Sequence, residues 1–126
     1  KDENNISIEF TRGVDIISAV SEKYIDLFSV GFAAETDSLK KNAKDKLIKK
    51  NLDMIVGNIA NHELKLGFES DFNEVTIFTK NKVIEIPEAK KSEIARKILN
   101  VIAEDYSSKV KLVNKNVKWS QNNIIR

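Results

Sequence analysis

The fold of this chain is decided by one stretch, VGFAAETDSLKKNAKDKLIKKNLDMIVGN, which covers residues 30–58. A short apolar run, LFSVGF at 27–32, leads into it, and a second run, LDMIV at 52–56, lies near its end. Continuous apolar runs of this length are typical of strands that are buried in a parallel sheet. The lysine-rich segment between them has helical spacing over 37–49. Strand, helix and strand in this order predict a βαβ unit.

Three apolar residues predict which face of the helix between the two strands is buried. Leu39, Ala43 and Leu47 recur every four positions, so they lie on one face. Thr36 or Asp37 is a suitable N-cap, because a short polar side chain accepts a hydrogen bond from the first free backbone N–H groups. Lysines cover much of the remaining surface, and for most of them we expect only a solvated helix face.

Segments on both sides of this unit extend the alternation. ISIEF at 6–10 alternates apolar and polar residues and predicts a strand, and the spacing over 14–23 predicts a helix. The whole pattern predicts an α/β fold with a mainly parallel sheet and an antiparallel hairpin at its edge. Because such sheets bind ligands beyond the carboxyl ends of their strands, we expect a site near residues 31–36 and Gly57–Asn58.

The C-terminal part predicts a hairpin followed by a helix. EVTIFTKNKVIEI at 74–86 reads as two strands with a turn at 80–82. We expect Pro87 to end the second strand, because proline has no N–H for the ladder. A helix with apolar residues at helical spacing follows over Ser92–Tyr106. KVKLV at 109–113 predicts one more strand.

Composition narrows the classes of function. The chain has 126 residues, of which 41% are hydrophobic and 32% are charged, so it suits one domain or a piece of one. A net charge of +2, from 21 basic and 19 acidic residues, is too even for bulk binding to nucleic acid or an acidic membrane. No apolar run approaches the ~20 residues of a membrane span. With no cysteine, thiolate chemistry is excluded and a cytoplasmic location fits.

Two lysines have a spacing that suits an anionic ligand. Lys46 and Lys50 are four residues apart and project from one side of the helix, and a triphosphate would relieve their repulsion. Gly31 lets a backbone approach a ligand closely. Phe32 at a strand end is placed to stack on a base, and Asn58 offers a donor and an acceptor. These residues also have ordinary explanations. The two lysines suit a solvated helix face, Phe32 suits the core, and Asn58 suits a loop cap.

Three motifs in order give a resemblance to a known family. They are VGFAAET, then A-x-x-K-L-I-K-K-N-L-D-M-I-V-G-N, then GFESDFNEVTI. Together they resemble the C-terminal half of the ligase domain of phosphopantothenoylcysteine synthetase, also called phosphopantothenate–cysteine ligase. The resemblance implies a Rossmann-like three-layer α/β/α fold and a homodimer. We expect the ligase half-domain to cover 1–106 and a basic C-terminal extension to cover 107–126.

The resemblance also implies a reaction in coenzyme A synthesis. The carboxylate of 4′-phosphopantothenate attacks the α-phosphate of a nucleoside triphosphate, CTP in bacterial enzymes and mainly ATP in eukaryotic ones. Mg²⁺ accompanies the triphosphate, and pyrophosphate leaves. The amine of cysteine then displaces the nucleoside monophosphate and forms an amide. A phosphopantothenoylcysteine decarboxylase is often fused to such ligases, but no flavin is expected in this chain.

Specific residues match the nucleotide-binding positions of that family. Phe32 matches a phenylalanine that contacts the nucleotide, Lys46 and Lys50 match two lysines that contact the triphosphate, and Asn58 matches a nucleotide-contacting asparagine. Lys46 is the expected catalytic residue, through stabilisation of the triphosphate. The family's Asn-Pro-Asp-Ile-like turn near the nucleotide falls on four residues here, of which only the last two match: Gly13, Val14, Asp15 and Ile16. No metal ligand is assigned.

Part of the family's domain precedes these motifs and is absent from this sequence. Because the chain begins at Lys1, we expect it to be a piece of a longer protein whose N-terminal half completes the active site. The main alternative is a nucleotide-binding or dimerisation module of Rossmann-like fold without ligase activity. A basic-helix RNA-binding domain is a weaker alternative, because no aromatic stacking platform accompanies the lysines.

Overall fold

The computed structural model describes residues 5–35, 38–59 and 71–124. Within these residues, the chain forms α1 (Ile16–Lys23), β1 (Val30–Glu35), α2 (Leu39–Lys49), β2 (Met54–Ile59), β3 (Phe72–Thr79), β4 (Val83–Lys90) and α3 (Lys91–Ile124). The strands make one sheet in the order β1-β2-β3-β4. β1 and β2 pair in parallel, whereas β2–β3 and β3–β4 pair antiparallel. The predicted βαβ unit and hairpin edge are therefore confirmed, but with one parallel and two antiparallel pairs the described sheet is mixed rather than mainly parallel.

Helices cover both faces of the sheet. α1 and α2 pack on one face through Ile17, Leu39, Ala43 and Leu47, which contact Ala33, Leu52, Ile55 and Phe78. α3 packs on the other face, where Ile94 and Ile98 meet Met54, Val56, Val75, Ile77 and Ile86. β2 is apolar throughout its first half because its alternate side chains enter these two separate cores. The three-layer α/β/α fold expected from the sequence is confirmed.

The close packing of α2 on the sheet depends on a glycine in β2. A Cβ atom added at Gly57 would lie 2.7 Å from Cδ1 of Leu39 and 3.5 Å from Cε2 of Phe78. Leu39 begins α2, so any side chain at residue 57 would displace the Leu39 side chain from its place against the sheet. The glycine read from sequence as the end of a strand is thus an internal residue of β2 that allows this close approach.

The predicted N-terminal strand at 6–10 is wrong for the described chain. Residues 5–15 have no regular secondary structure, and Ile6, Ile8 and Phe10 are 86%, 67% and 89% exposed. A strand needs a neighbouring ladder to satisfy its N–H and C=O groups, and no described strand pairs with this segment. The alternating pattern of residues 6–10 is compatible with a strand, but in the described structure these residues pair with no other strand.

The helix boundaries differ slightly from those predicted. α1 begins two residues later than expected, after the N-cap Asp15. The predicted caps of α2, Thr36 and Asp37, lie outside the described residues. Ser38 takes the N-cap position, with φ 52° and no capping hydrogen bond from its side chain. α2 ends at Lys49 as the sequence pattern predicts.

The hairpin forms around the predicted turn, but Pro87 does not end it. The hydroxyl of Thr79 accepts hydrogen bonds from the N–H groups of Asn81 and Lys82, at 3.3 and 3.1 Å. β4 continues through Pro87 to Lys90. Proline is tolerated there because β4 is an edge strand and the register shifts between Asn73 and Val75 of β3, where the ladder is irregular.

The predicted strand at 109–113 is also wrong. These residues belong to α3, which runs for 34 residues without a break at residue 106. Lys109, Val110 and Val113 are half-buried, so the segment has a helical rather than an alternating pattern of burial. A short run with two valines and a leucine is ambiguous between strand and helix by periodicity alone.

Candidate functional site

The predicted lysines, the glycine and the phenylalanine lie around one cavity beside β1. The cavity has a volume of about 100 Å³. Its walls come from α1, β1, α2 and the start of β2, and they comprise Ile17, Gly31, Phe32, Ala33, Lys46, Lys50, Leu52 and Ile55. Two lysine side chains and an exposed phenylalanine thus line one small recess. Such a recess suits an anion attached to a planar group.

The end of α2 fixes the positions of the two lysines. Asn51 adopts φ 51°, the left-handed conformation, and its N–H bonds to the carbonyl of Ile48 at 3.1 Å. The N–H of Leu52 bonds to the carbonyl of Leu47 at 2.9 Å. These two bonds form a Schellman cap, and its usual apolar contact is present because Leu47 and Leu52 share one core cluster. Asparagine is one of the residues that tolerate this conformation.

The turn before α1 provides a second contact that holds Lys50 in position. Asp15 caps α1 by accepting a hydrogen bond from the N–H of Ser18 at 3.3 Å. Its Oδ2 lies 2.9 Å from Nζ of Lys50. The hydrogen bond from Lys50 and the one from Ser18 hold the pKa of the Asp15 carboxyl below its ordinary value. Asp15 is therefore ionised at neutral pH and joins α1 to the end of α2.

None of the four residues of the expected turn, Asp15 included, lines the cavity. Val14 and Ile16 are exposed, and a Cβ added at Gly13 would have no neighbour within 4 Å. Ile17, one residue beyond the predicted set, does line it. Ile17, Leu52 and Ile55 were missed because an apolar residue at regular spacing looks like any other core residue until the tertiary fold is known.

Phe32 and Gly31 lie on the unpaired edge of the described sheet. The Phe32 side chain is 75% exposed, which is unusual for a large apolar residue in a strand. A Cβ at Gly31 would lie 2.9 Å from Cδ1 of Leu52, so a larger residue would displace a cavity-lining side chain. The prediction that Phe32 is a core phenylalanine is therefore excluded, while its role as a base-stacking residue stays a prediction.

Asn58 lies apart from this group. It pairs with Ala34, whereas the cavity residue Ile55 pairs with Gly31. Three residues along a strand correspond to about 10 Å, and Asn58 is not among the cavity's lining residues. A ligand that contacts both must extend along β1.

The cavity is not beyond the carboxyl ends of the strands, where the sequence rule placed it. α2 runs back antiparallel to β1, so its last turn lies level with the beginning of β1 and β2, as the lining residues Gly31 and Leu52 show. The rule correctly places the start of α2 at the carboxyl end of β1. The two lysines lie towards the other end of the same helix, about 10 Å (Lys46) and about 16 Å (Lys50) from Leu39 at 1.5 Å per residue.

Two larger cavities lie elsewhere in the described residues. One of about 490 Å³ lies between α2 and the hairpin, lined by Lys44, Leu47, Ile48, Asn51, Thr79 and Lys80. Another of about 320 Å³ lies at the hairpin turn and contains Lys82 and Lys109. These two lysines are already paired with Asp105 and Asp53. Neither cavity is lined by Phe32, Lys46, Lys50 or Asn58.

The family to which the chain belongs follows from a match over most of its length. Residues 1–106 match the model of the DNA/pantothenate metabolism flavoprotein C-terminal domain. The chain belongs to this family. The resemblance found from the three sequence motifs is therefore confirmed.

Relatives of this flavoprotein-domain chain include bifunctional enzymes of coenzyme A biosynthesis. The protein CoaBC of Bacillus subtilis is 39% identical over 104 residues, which are 82% of this chain and 25% of the relative. CoaBC of Borreliella burgdorferi is 40% identical over 101 residues, or 79% of this chain and 25% of the relative. The chain thus spans about a quarter of the length of the curated relatives it matches.

Solved structures give the same fold. The crystal structure of the C-terminal domain of a CoaBC protein is 34% identical, with a TM-score of 0.62, and the match covers 84% of this chain and 45% of that one. A DNA/pantothenate metabolism flavoprotein from Streptococcus pneumoniae has a TM-score of 0.63 at 24% identity, over 82% of this chain and 46% of that one. This family chain corresponds to about half of each solved domain.

Within the described segments, no helix is both long enough and apolar enough to cross a membrane.

Proposed function

We propose that this chain is the nucleotide-binding half of a phosphopantothenate–cysteine ligase. The observation that carries the proposal is the grouping of Phe32, Lys46 and Lys50 around one cavity. These are the positions that the ligase family uses for base and triphosphate. The proposed enzyme joins 4′-phosphopantothenate to cysteine with CTP as cosubstrate, or ATP in its place, as a cytoplasmic step of coenzyme A synthesis.

The proposed chemistry has two balanced steps. A carboxylate oxygen of 4′-phosphopantothenate forms a bond to the α-phosphorus of CTP. The bond from that phosphorus to the oxygen that bridges the α- and β-phosphates breaks, and pyrophosphate leaves with this oxygen. The cysteine amine then bonds to the acyl carbon. Nucleoside monophosphate leaves with its oxygen, and the amine loses a proton. The product is an amide.

The two lysines supply the electrostatics of the first step. A carboxylate and a triphosphate repel each other, and negative charge grows on the departing pyrophosphate. Lys46 and Lys50 reduce the repulsion and stabilise the leaving group through charge-assisted hydrogen bonds. Because α2 is capped rigidly beyond Lys50, their backbone positions are set before the ligand arrives.

The described residues offer no dedicated metal cage. Across 5–35, 38–59 and 71–124, no three His, Cys, Asp or Glu side chains are grouped to hold a metal ion. We therefore assign Mg²⁺ no protein ligand in these segments and derive no step through it. It would enter as the counter-ion of the triphosphate, whose oxygens are its preferred ligands. No flavin-binding role is proposed for this chain.

The small cavity fits an active site that needs a second part. Ligand sites usually measure about 300–1,000 Å³, three or more times the cavity beside β1. β1 is an edge strand of the described sheet, and the large apolar residues of 5–16 are exposed. We propose that the N-terminal half of the ligase domain covers them, in a homodimer, and that a phosphopantothenoylcysteine decarboxylase is fused to it.

The test is pyrophosphate release from CTP by this chain combined with the N-terminal half of the domain. We expect release that depends on added 4′-phosphopantothenate, and amide formation once cysteine is supplied. Omitting 4′-phosphopantothenate is the control for simple nucleotide hydrolysis. CTP binding without any release in the combined protein would contradict the ligase proposal. That result would support the alternative of a non-catalytic nucleotide-binding or dimerisation module.

A further inference from the structure

The carboxylate of Asp15 joins two elements with its two oxygens. Oδ1 accepts the N–H of Ser18 at 3.3 Å, which fixes the carboxylate to the first turn of α1. Oδ2 lies 2.9 Å from Nζ of Lys50, at the end of α2. The carboxylate is therefore oriented by one helix and directed at the ammonium group of another.

Lys50 needs such a partner because the position of its backbone does not fix the position of its ammonium group. Residue 50 is the C-cap of α2, and its N–H bonds to the carbonyl of Lys46 at 3.0 Å. The four-carbon side chain beyond it has many rotamers in water. An ammonium group has three donors, so a hydrogen bond to Asp15 leaves two donors for phosphate oxygens.

We infer that Asp15 is a positioning residue, which holds the Lys50 ammonium group at the cavity rather than binding the nucleotide itself. This inference rests on the proposed function and deepens it. Asp15 is not among the residues that line the cavity, whereas Lys50 is. The lysine–glutamate pair of protein kinases is comparable, since it must be in place for the lysine to act on the phosphates.

The exposure of the pair indicates that it adds little to folding stability. The Lys50 and Asp15 side chains are 31% and 46% exposed, and ion pairs that remain in contact with water add little to stability. Asp15 also has a second task as the N-cap of α1. An asparagine accepts the same capping hydrogen bond without a charge, so the two tasks are separable by one substitution.

The opposite role, competition, makes the opposite prediction. If the carboxylate occupied Lys50 at the expense of the triphosphate, removing its charge would free the ammonium group and reduce repulsion of the ligand. Asp15→Asn would then tighten nucleotide binding. Under the positioning role, the same substitution weakens binding, and it does so through Lys50. The sign of the effect distinguishes the two roles.

The experiment measures CTP binding, with Mg²⁺, to the complete ligase domain by calorimetry. Asp15→Asn is expected to weaken binding about tenfold, the equivalent of one charge-assisted hydrogen bond. Lys50→Ala is expected to weaken wild-type binding similarly, but to have a smaller effect in the Asp15→Asn background. Lys46→Ala is expected to weaken binding by the same factor in both backgrounds. Asp105→Asn, which removes the partner of Lys82, is the matched control and leaves CTP binding unchanged.

Each result decides one of the two claims. Unchanged or tighter binding by Asp15→Asn overturns the positioning role, as do fully additive effects of Asp15→Asn and Lys50→Ala. Those results leave the proposed function standing as long as Lys46→Ala weakens binding. If Lys46→Ala and Lys50→Ala both bind CTP as well as the wild type, the proposed site itself is wrong. In that case, the positioning role fails with it.

Discussion

Two aspartate–lysine pairs in this molecule have nearly the same length and opposite surroundings. Asp15 and Lys50 lie 2.9 Å apart beside the cavity, with 46% and 31% of their side chains exposed. Asp53 and Lys109 lie 2.8 Å apart where the loop before β2 meets α3, with only 19% and 22% exposed. The first pair borders the proposed ligand site, and the second joins the sheet to the C-terminal helix.

The two pairs differ above all in how many other partners their atoms have. Nζ of Lys109 contacts both Asp53 oxygens, at 2.8 and 2.9 Å, bonds the carbonyl of Leu27 and lies 5.9 Å from the centre of the Phe28 ring. Asp53 also accepts the N–H of Ser29 at 2.8 Å. This pair is surrounded by partners, which is typical of a structural ion pair. Lys50 faces a cavity and keeps donors for a ligand, which is typical of a binding residue.

The largest expected effect in this comparison is on catalysis at the cavity. Lys46→Ala should lower kcat/KM of the complete ligase by about 10²–10³-fold, the usual loss for one group that stabilises developing charge. Its free energy of unfolding should stay unchanged, because Lys46 is outside the Leu39/Ala43/Leu47 stripe. Steady-state pyrophosphate release and urea unfolding are the two measurements.

Lys41→Ala serves as the matched control for that variant. It removes an exposed lysine from the same helix, and we expect it to keep wild-type activity. Full ligase activity in Lys46→Ala, or loss of folding in that variant, would contradict the assignment of Lys46.

The next effect concerns stability at the other pair. Lys109→Met should lower the free energy of unfolding by about 2 kcal/mol, because it leaves a mostly buried carboxylate with only part of its partners. Urea denaturation of the chain measures the loss. Lys111→Met, on the exposed side of the same helix, is the control and should stay within about 0.5 kcal/mol of wild type. Equal stability of both variants would show that the second pair is not structural.

The smallest effect is a shift in the titration of Asp15. Lys50 and the N–H of Ser18 lower the pKa of Asp15 in the folded chain, so its contribution to stability is present above the unfolded-state pKa and is lost as pH falls through the lower folded-state value. Lys50→Met should raise the pKa of Asp15 toward its ordinary value, while Lys46→Met should not. Carboxyl carbon shifts followed by NMR from neutral to acid pH measure both. An unaltered Asp15 titration in Lys50→Met would contradict the ion pair.

Local sequence patterns predicted the central elements correctly. The four-residue spacing of Leu39, Ala43 and Leu47 gave α2, and the apolar runs around it gave β1 and β2, because both signals depend on residues near each other in sequence. The strands begin and end two or three residues later than predicted. A continuous apolar run marks a buried strand without marking where its hydrogen-bonded ladder begins.

Features that depend on distant partners could not be predicted in this way. ISIEF has a strand pattern but no described strand beside it, and KVKLV lies within α3, where Lys109 binds Asp53, 56 residues earlier in the chain. The site was predicted through family motifs for Phe32, Lys46 and Lys50. The link between Asp15 and Lys50 was not predicted, because it joins positions from separate helices.

The most direct test of the central claim is a crystal structure of the complete ligase domain with CTP and Mg²⁺. The account predicts phosphate oxygens within hydrogen-bonding distance of Nζ of Lys46 and Lys50, with the base against Phe32 and Asp15 still bound to Lys50. A triphosphate bound at the hairpin cavity near Lys82, or with no contact to either lysine of α2, would contradict it.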